Sequence, residues 1–123
     1  MGKHLLIIGL GGFLGSVSRY LTGFLVQKNW PSISVLGTFT ANVVGCLLIG
    51  AIYGLYLRYE GFTNDWRLFL ITGFCGGYTT FSTFAFENAQ MLQTGAYKPF
   101  IYYTIGSLTL GIIAVFGGLL LTK

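Results

Sequence analysis

Charged residues are scarce in this chain of 123 residues: Lys, Arg, Asp and Glu together make up 8% of it. A soluble domain usually carries about 25% charged residues, with polar side chains on the outer faces of its helices. Because 54% of the residues are hydrophobic, the composition excludes a soluble globular domain, a disordered chain and a small disulfide scaffold. It predicts a protein embedded in a membrane.

Cysteine and histidine are also rare. Cys46 and Cys75 lie inside apolar segments, without CxxC spacing and without a nearby histidine, so we expect small buried side chains rather than a zinc or redox site. His4 is expected to lie at the membrane interface. The seven Lys and Arg residues are scattered singly, so the net charge of +4 does not indicate binding to nucleic acid.

Long apolar stretches dominate the chain. A membrane-spanning helix needs roughly 20 residues, and the first run is too long for a cleaved signal peptide. The third run is too long for one simple span by about a turn, and no separator has room for a second domain. The sequence predicts an all-α membrane protein, a single four-helix transmembrane domain over residues 1–123. The spans are expected at about residues 5–26, 35–57, 66–92 and 100–121.

The short separators contain residues that start and stop helices. Thr63 or Asn64 can cap the third helix, and Gly95 can end it. Pro31 and Pro99 are expected to precede helix starts.

The distribution of cations gives only a weak preference for one orientation. Four lie on the side of the termini and two on the other, which favours termini inside by a margin of two. Such a small bias leaves open insertion in both orientations, with an antiparallel homodimer as the product. The first group is Lys3, Arg58, Arg67 and Lys123, and the second is Lys28 and Lys98.

Glycine is frequent, with 19 residues, and small residues form strips on the first two spans. Such strips let membrane helices approach closely. The first strip has GxGxxxG spacing and no acidic residue about 20 positions later, so packing is favoured over a dinucleotide site. The strips are Gly9, Gly11, Gly12 and Gly15, and then Gly37, Ala41 and Gly45.

Among the ionisable and strongly hydrogen-bonding residues inside spans, where a charge costs on the order of 2.5–3.5 kcal/mol, three stand out. Arg19 is in the first span, Asn42 in the second and Glu87 in the third. Arg19 can snorkel to the interface, Asn42 can form an interhelical hydrogen bond, and Glu87 can pair with Arg19 or a hydroxyl. The alternative is that they line a pathway.

Hydroxyl and amide groups recur near these residues at the helical spacing of four, which places each pair on one helix face. Donors that face a common interior suit a small dehydrated anion, whereas a cation route would show rings of carboxylates. The pairs are Thr38 with Asn42, Thr83 with Glu87, and Tyr103 with Ser107.

The third span contains an unfavourable sequence for a helix, Gly76-Gly77-Tyr78-Thr79-Thr80-Phe81-Ser82-Thr83-Phe84. A break there would free backbone groups that must be buried in protein or face water. Broken helices present carbonyls to cations and helix N-termini to anions. Phe81 and Phe84 lie on one face beyond the break, and their ring edges could line a narrow anion route.

The chain resembles the Fluc (CrcB-type) fluoride channel family along nearly its whole length. The nine residues 76–84 match that family's GGxTTFSTF centre. Residues 37–45 (Gly-Thr-Phe-Thr-Ala-Asn-Val-Val-Gly) and residues 11–20, with their GGxxGxxxR pattern, support the match.

The resemblance implies an antiparallel, dual-topology homodimer in the cell membrane, with two pores that export fluoride passively and relieve its toxicity. It implies a structural sodium ion at the dimer centre, held by the main-chain carbonyls of Gly76 and Thr79. It also implies Arg19 near the aqueous vestibule. The implied pore residues are Phe81, Phe84, Asn42, Thr38, Ser82, Thr83, Glu87, Tyr103 and Ser107.

Other interpretations are weaker. A proton-coupled exporter similar to the small multidrug transporters would carry its carboxylate in the first span, where this chain has only Arg19. A non-conducting assembly subunit has no use for backbone exposed in mid-membrane. No nucleophile–base pair or nucleotide loop occurs, so we do not expect an enzyme. The expected partners are fluoride, membrane lipid and a second copy of the chain.

Overall fold

The computed structural model describes residues 1–122, and these form helices joined by short connections without a β-strand. The all-α class predicted from the sequence is confirmed. The elements are α1 (Gly2–Asn29), α2 (Leu36–Arg58), α3 (Asn64–Arg67), a π-helix (Leu68–Cys75), α4 (Gly76–Tyr78), α5 (Phe81–Gln93) and α6 (Tyr97–Leu121).

Three of the helices, α1, α2 and α6, are long and apolar enough to cross a membrane. Most of their large apolar side chains are exposed on the surface of the single chain, as expected where lipid takes the place of water. The chain is therefore a multi-pass membrane protein. The third expected span, residues 66–92, is divided between α3, the π-helix, α4 and α5.

Helices α2 and α6 form the most extensive contact in the chain. They run parallel, since Gly50 lies against the Val115 carbonyl and Gly54 lies one turn further along, against Thr122. A methyl group at Gly118 would overlap the carbonyl oxygen of Leu47. The two backbones touch because neither helix carries a side chain at these crossings.

Helix α1 packs along the π-helix and α4 in a similar way. A methyl group at Gly11 would overlap the carbonyl oxygen of Phe69, and one at Gly15 would overlap that of Phe74. The packing role expected for the first glycine strip is thus correct at these two positions. At Gly9 no other helix of the described chain comes within contact distance.

The helix ends discussed here lie where the sequence predicts them, with one exception. The Thr63 hydroxyl accepts a hydrogen bond from the Trp66 amide and caps α3. Gly95 has φ +78 just after α5, a conformation that favours glycine. The expectation for Pro99 was wrong: α6 begins at Tyr97, because a proline is tolerated in the first turn, where amides lack helical partners.

An ion pair joins the N-terminus to the segment that starts the third span. The Lys3 ammonium lies 2.8 Å from the Asp65 carboxylate, and His4 Nε2 lies 3.7 Å from it. The hydrogen bond from Lys3 lowers the pKa of Asp65 below its usual value. Both side chains are partly or largely exposed, so the contact contributes little to the stability of the fold.

Candidate functional site

The helical path is interrupted between α4 and α5. Thr79 (φ −90, ψ 159) and Thr80 (φ −151, ψ 119) have extended backbones, and we call these two residues the gap. The Thr80 hydroxyl accepts a hydrogen bond from the Thr83 amide at 3.2 Å and so caps α5. The gap thus ends one helix and starts the next.

Asn42, on α2, binds the backbone of the gap. Its Oδ1 accepts a hydrogen bond from the Thr80 amide at 2.8 Å, and its Nδ2 donates one to the Thr80 carbonyl at 3.1 Å. The interhelical bond considered for this residue is therefore present, and it goes to main chain. One of the two Nδ2 hydrogens is left for another acceptor.

Glu87, on α5, joins two further elements. The Thr38 hydroxyl donates to Glu87 Oε2 at 2.9 Å, and the Tyr103 hydroxyl donates to Oε1 at 2.7 Å. Within residues 1–122 no ion pair connects Glu87 to Arg19, so the alternative of a hydroxyl partner is the correct one. The three side chains link α2, α5 and α6.

Two phenylalanines near the start of α5 differ in their surroundings. The Phe84 side chain is buried (8% exposed) and its ring meets the Tyr103 ring edge-on at 5.0 Å. Phe81 lies 5.9 Å from Phe84 between ring centroids but is 76% exposed. Most of the Phe81 side chain is therefore uncovered on the single chain.

The remaining candidates lie close to these groups. Ser82 and Thr83 are exposed at the start of α5, and each hydroxyl lies within 3.3 Å of the Thr80 hydroxyl. The Ser107 hydroxyl is buried and makes no hydrogen bond within residues 1–122. It is a polar group without a hydrogen-bond partner, and it lines the same groove as Phe81 and Phe84.

Two cavities meet at the gap. A groove of about 510 Å³ contains the expected sodium ligands, and its lining includes Asn42, Gly76, Thr79, Phe81, Phe84 and Ser107. A smaller cavity of about 230 Å³ is lined by Arg19, Thr38, Thr83 and other residues. Thr80 lines both, so the gap lies between the cavity beside the Arg19 side chain and the groove beside Phe81 and Phe84.

The expected metal ligands are main-chain atoms. No group of three or more His, Cys, Asp or Glu side chains able to hold a metal occurs in the described part of the chain. The Thr79 amide donates to the Cys75 carbonyl, and the Thr80 amide donates to Asn42. Neither amide reaches the Gly76 carbonyl, which is thereby available to a hard cation such as sodium.

Sequence reasoning missed several features. Thr80 was recognised only as part of the motif, although its position before a helix start is typical of a capping residue. The buried Asn88 accepts a hydrogen bond from Thr104 at 3.3 Å, and Thr22 bonds to the Tyr78 hydroxyl at 2.8 Å. The π-helix was not predicted, and no residue pattern in it distinguishes it from an α-helix.

Comparison with known proteins gives consistent matches. Residues 6–119 match the family described as CrcB-like protein, Camphor Resistance (CrcB). A fluoride-specific ion channel FluC from Phocaeicola vulgatus is 46% identical over 98% of this chain and 99% of its own length. Proteins of the same name from Azobacteroides pseudotrichonymphae and Gloeothece citriformis are 39% and 44% identical, over 100% and 98% of this chain and 98% and 97% of their own lengths.

Proposed function

The chain belongs to the CrcB family, and we propose that it is a fluoride-selective channel through which the anion leaves the cell down its electrochemical gradient. The relatives are named as ion channels, in agreement with the expectation that the chain is not an enzyme. Weak acid enters a cell as neutral HF and ionises inside, so a passive exit for the anion relieves toxicity.

The observation that carries this proposal is the set of donors around the gap. Fluoride is small and strongly hydrated, so a dry passage must replace its water with hydrogen-bond donors. The free Nδ2 hydrogen of Asn42 and the unpartnered Ser107 hydroxyl point to such a passage. The side chain of Arg19, which lines the smaller cavity, would attract the anion there.

We propose further that two copies of the chain assemble antiparallel, with the gap at mid-membrane. Three observations support this assembly. The groove exposes main-chain atoms that lipid cannot satisfy, and Phe81 presents most of its ring outward. The cation bias between the two sides is only two, which permits insertion in both orientations.

A sodium ion at the centre of this dimer fits the residues present. The Gly76 carbonyl lacks the amide that would bond to it in a continuous helix, and the Thr83 amide bonds to the Thr80 hydroxyl, away from the Thr79 carbonyl. Two such carbonyls from each copy would hold the ion. When bound, sodium supplies a positive charge that neutralises converging carbonyl dipoles.

The exporter alternative is less consistent with the geometry. A proton-coupled transporter needs a carboxylate that is alternately free for proton and substrate, but both oxygens of Glu87 already accept hydrogen bonds. A scaffold role gives no reason for the donor set at the gap. These two functions are kept as outcomes of the experiment below.

The test is fluoride efflux from liposomes that contain the purified protein, with voltage set by a potassium gradient and an ionophore. We expect rapid efflux that follows voltage, excludes chloride and needs no pH gradient, measured with a fluoride electrode. Efflux only with a proton gradient would indicate an exporter. No efflux at all would indicate the scaffold.

A further inference from the structure

The hydrogen bonds of Asn42 replace those of a helix at one point in the chain. In a continuous α-helix the Thr80 amide would bond to the Gly76 carbonyl, four residues earlier. Here that amide donates to Asn42 Oδ1 at 2.8 Å, while the preceding amide, of Thr79, keeps its helical bond to Cys75 at 3.0 Å. The helix therefore stops at the residue whose amide Asn42 binds.

The Thr80 carbonyl is bound by the same Asn42 side chain as the Thr80 amide. Asn42 Nδ2 donates to the Thr80 carbonyl at 3.1 Å, so a single planar side chain bridges both faces of this residue's backbone. These two hydrogen bonds from one side-chain amide fix both the position and the orientation of the Thr80 backbone. Asn42 itself lies on α2, a helix that is anchored along its length by α6.

We infer that Asn42 is a positioning residue: it competes for the Thr80 amide and so keeps the Gly76 carbonyl free for the cation. The Oδ1 acceptor carries this role, and the second Nδ2 hydrogen can still serve a passing anion. The inference rests on the sodium site proposed above. It adds that the site is built from outside the third span, by a side chain that does not touch the ion.

The first experiment measures the dimer's melting temperature in detergent, in sodium and in N-methylglucamine chloride. The wild-type protein is expected to melt higher in sodium. Asn42→Asp keeps an oxygen at the Oδ1 position and should retain the shift. Asn42→Leu should lose it, because the released Thr80 amide has no stable hydrogen-bond partner and competes with the cation for the Gly76 carbonyl. Asn42→Ser, whose hydroxyl is too short to reach, replaces Asn42→Leu if that variant gives no dimer.

The control is Thr38→Val, which removes a different hydrogen bond from the same helix. This variant should keep the sodium shift even if its melting temperature falls. A full shift in Asn42→Leu or Asn42→Ser would overturn the inference, and so would loss of the shift in Asn42→Asp.

The second experiment is independent of sodium and separates the two proposals. Amide exchange at Thr80, followed by NMR, should be at least about fivefold faster in Asn42→Leu or Asn42→Ser than in the wild type. Unchanged exchange would overturn the positioning role. A wild-type protein with no sodium shift but with Thr80 protected by Asn42 would remove the sodium site and leave the hydrogen-bonding role of Asn42 intact.

Discussion

The contact between α2 and α6 and the junction between α4 and α5 satisfy buried backbone in opposite ways. In the first, both helices keep their own hydrogen bonds, and glycines such as Gly118 let the two backbones meet. In the second, the helical hydrogen bonding stops at Thr80, and Asn42 binds the amide and the carbonyl of that residue instead. The first region depends on the absence of side chains, and the second depends on specific side chains.

This difference predicts that the two regions tolerate different kinds of substitution. A packed crossing fails when volume is added, since its atoms have no space to move into. A polar junction fails when a donor or acceptor is removed, since lipid offers no substitute. Added volume at the crossing and lost hydrogen-bond donors near the junction therefore test the comparison.

Gly118→Ala should have the largest effect on stability. The added methyl would overlap the Leu47 carbonyl, and forcing the helices apart should cost about 3 kcal/mol of unfolding free energy. Gly117→Ala is the matched control, because its methyl would lie 3.8 Å from the Leu47 side chain, an ordinary contact. Unfolding in mixed detergent micelles measures both, and equal stabilities would contradict the close crossing.

Tyr103→Phe should have the next largest effect, and it acts by removing a donor. Loss of the 2.7 Å bond to Glu87 should cost about 1–2 kcal/mol and slow fluoride efflux. Tyr102→Phe, at an exposed neighbouring position (72%), should change neither. Because Thr38 shares the same carboxylate, a double-mutant cycle of Thr38→Val with Tyr103→Phe should be non-additive.

Phe84→Ile and Phe81→Ile should separate packing from conduction. Phe84 is buried against Tyr103, so its replacement should lower the unfolding free energy by about 1 kcal/mol. Phe81 is mostly exposed on the single chain, so its replacement should leave the fold and the dimer intact on a sizing column. It should slow fluoride efflux, because the ring edge proposed to face the anion is lost. Unchanged efflux in Phe81→Ile would remove that ring from the pore.

The sequence predicted the helices and the glycine crossing of α1 better than the α2–α6 crossing or the polar junction. Helix class and length follow from hydrophobicity, which is a sum over many residues, and the glycine strips predicted the faces at Gly11 and Gly15. Helical spacing also grouped Thr38, Glu87 and Tyr103 as candidates. It could not show that Glu87 would join the other two, because that depends on the relative rotation of three helices.

The π-helix and the contacts of Asn42 were beyond sequence reasoning for a related reason. The difference between α- and π-helical bonding over Leu68–Cys75 is a small shift in register, from four residues to five, and no side chain encodes it. Asn42 was predicted as an interhelical or pore residue. Its bond to the Thr80 backbone depends on where the helix stops, which tertiary packing decides.

The smallest effect is expected at the Lys3–Asp65 pair, the exposed counterpart of the polar contacts at the gap. Because Lys3 lowers the pKa of Asp65, the pair stabilises the protein above the usual carboxyl pKa of about 3.9 and loses this contribution as pH falls through the lowered value. Lys3→Ala should therefore lower the melting temperature slightly at neutral pH, a small effect since water and salt screen exposed charges. The difference from the wild type should disappear as the pH falls below about 4, so the variant has a slightly flatter dependence of the melting temperature on pH. Lys98→Ala, at another exposed lysine, should leave that dependence unchanged. A loss at neutral pH as large as that of Tyr103→Phe would mean that the exposed pair matters as much as the polar contacts inside the membrane, against the comparison drawn here.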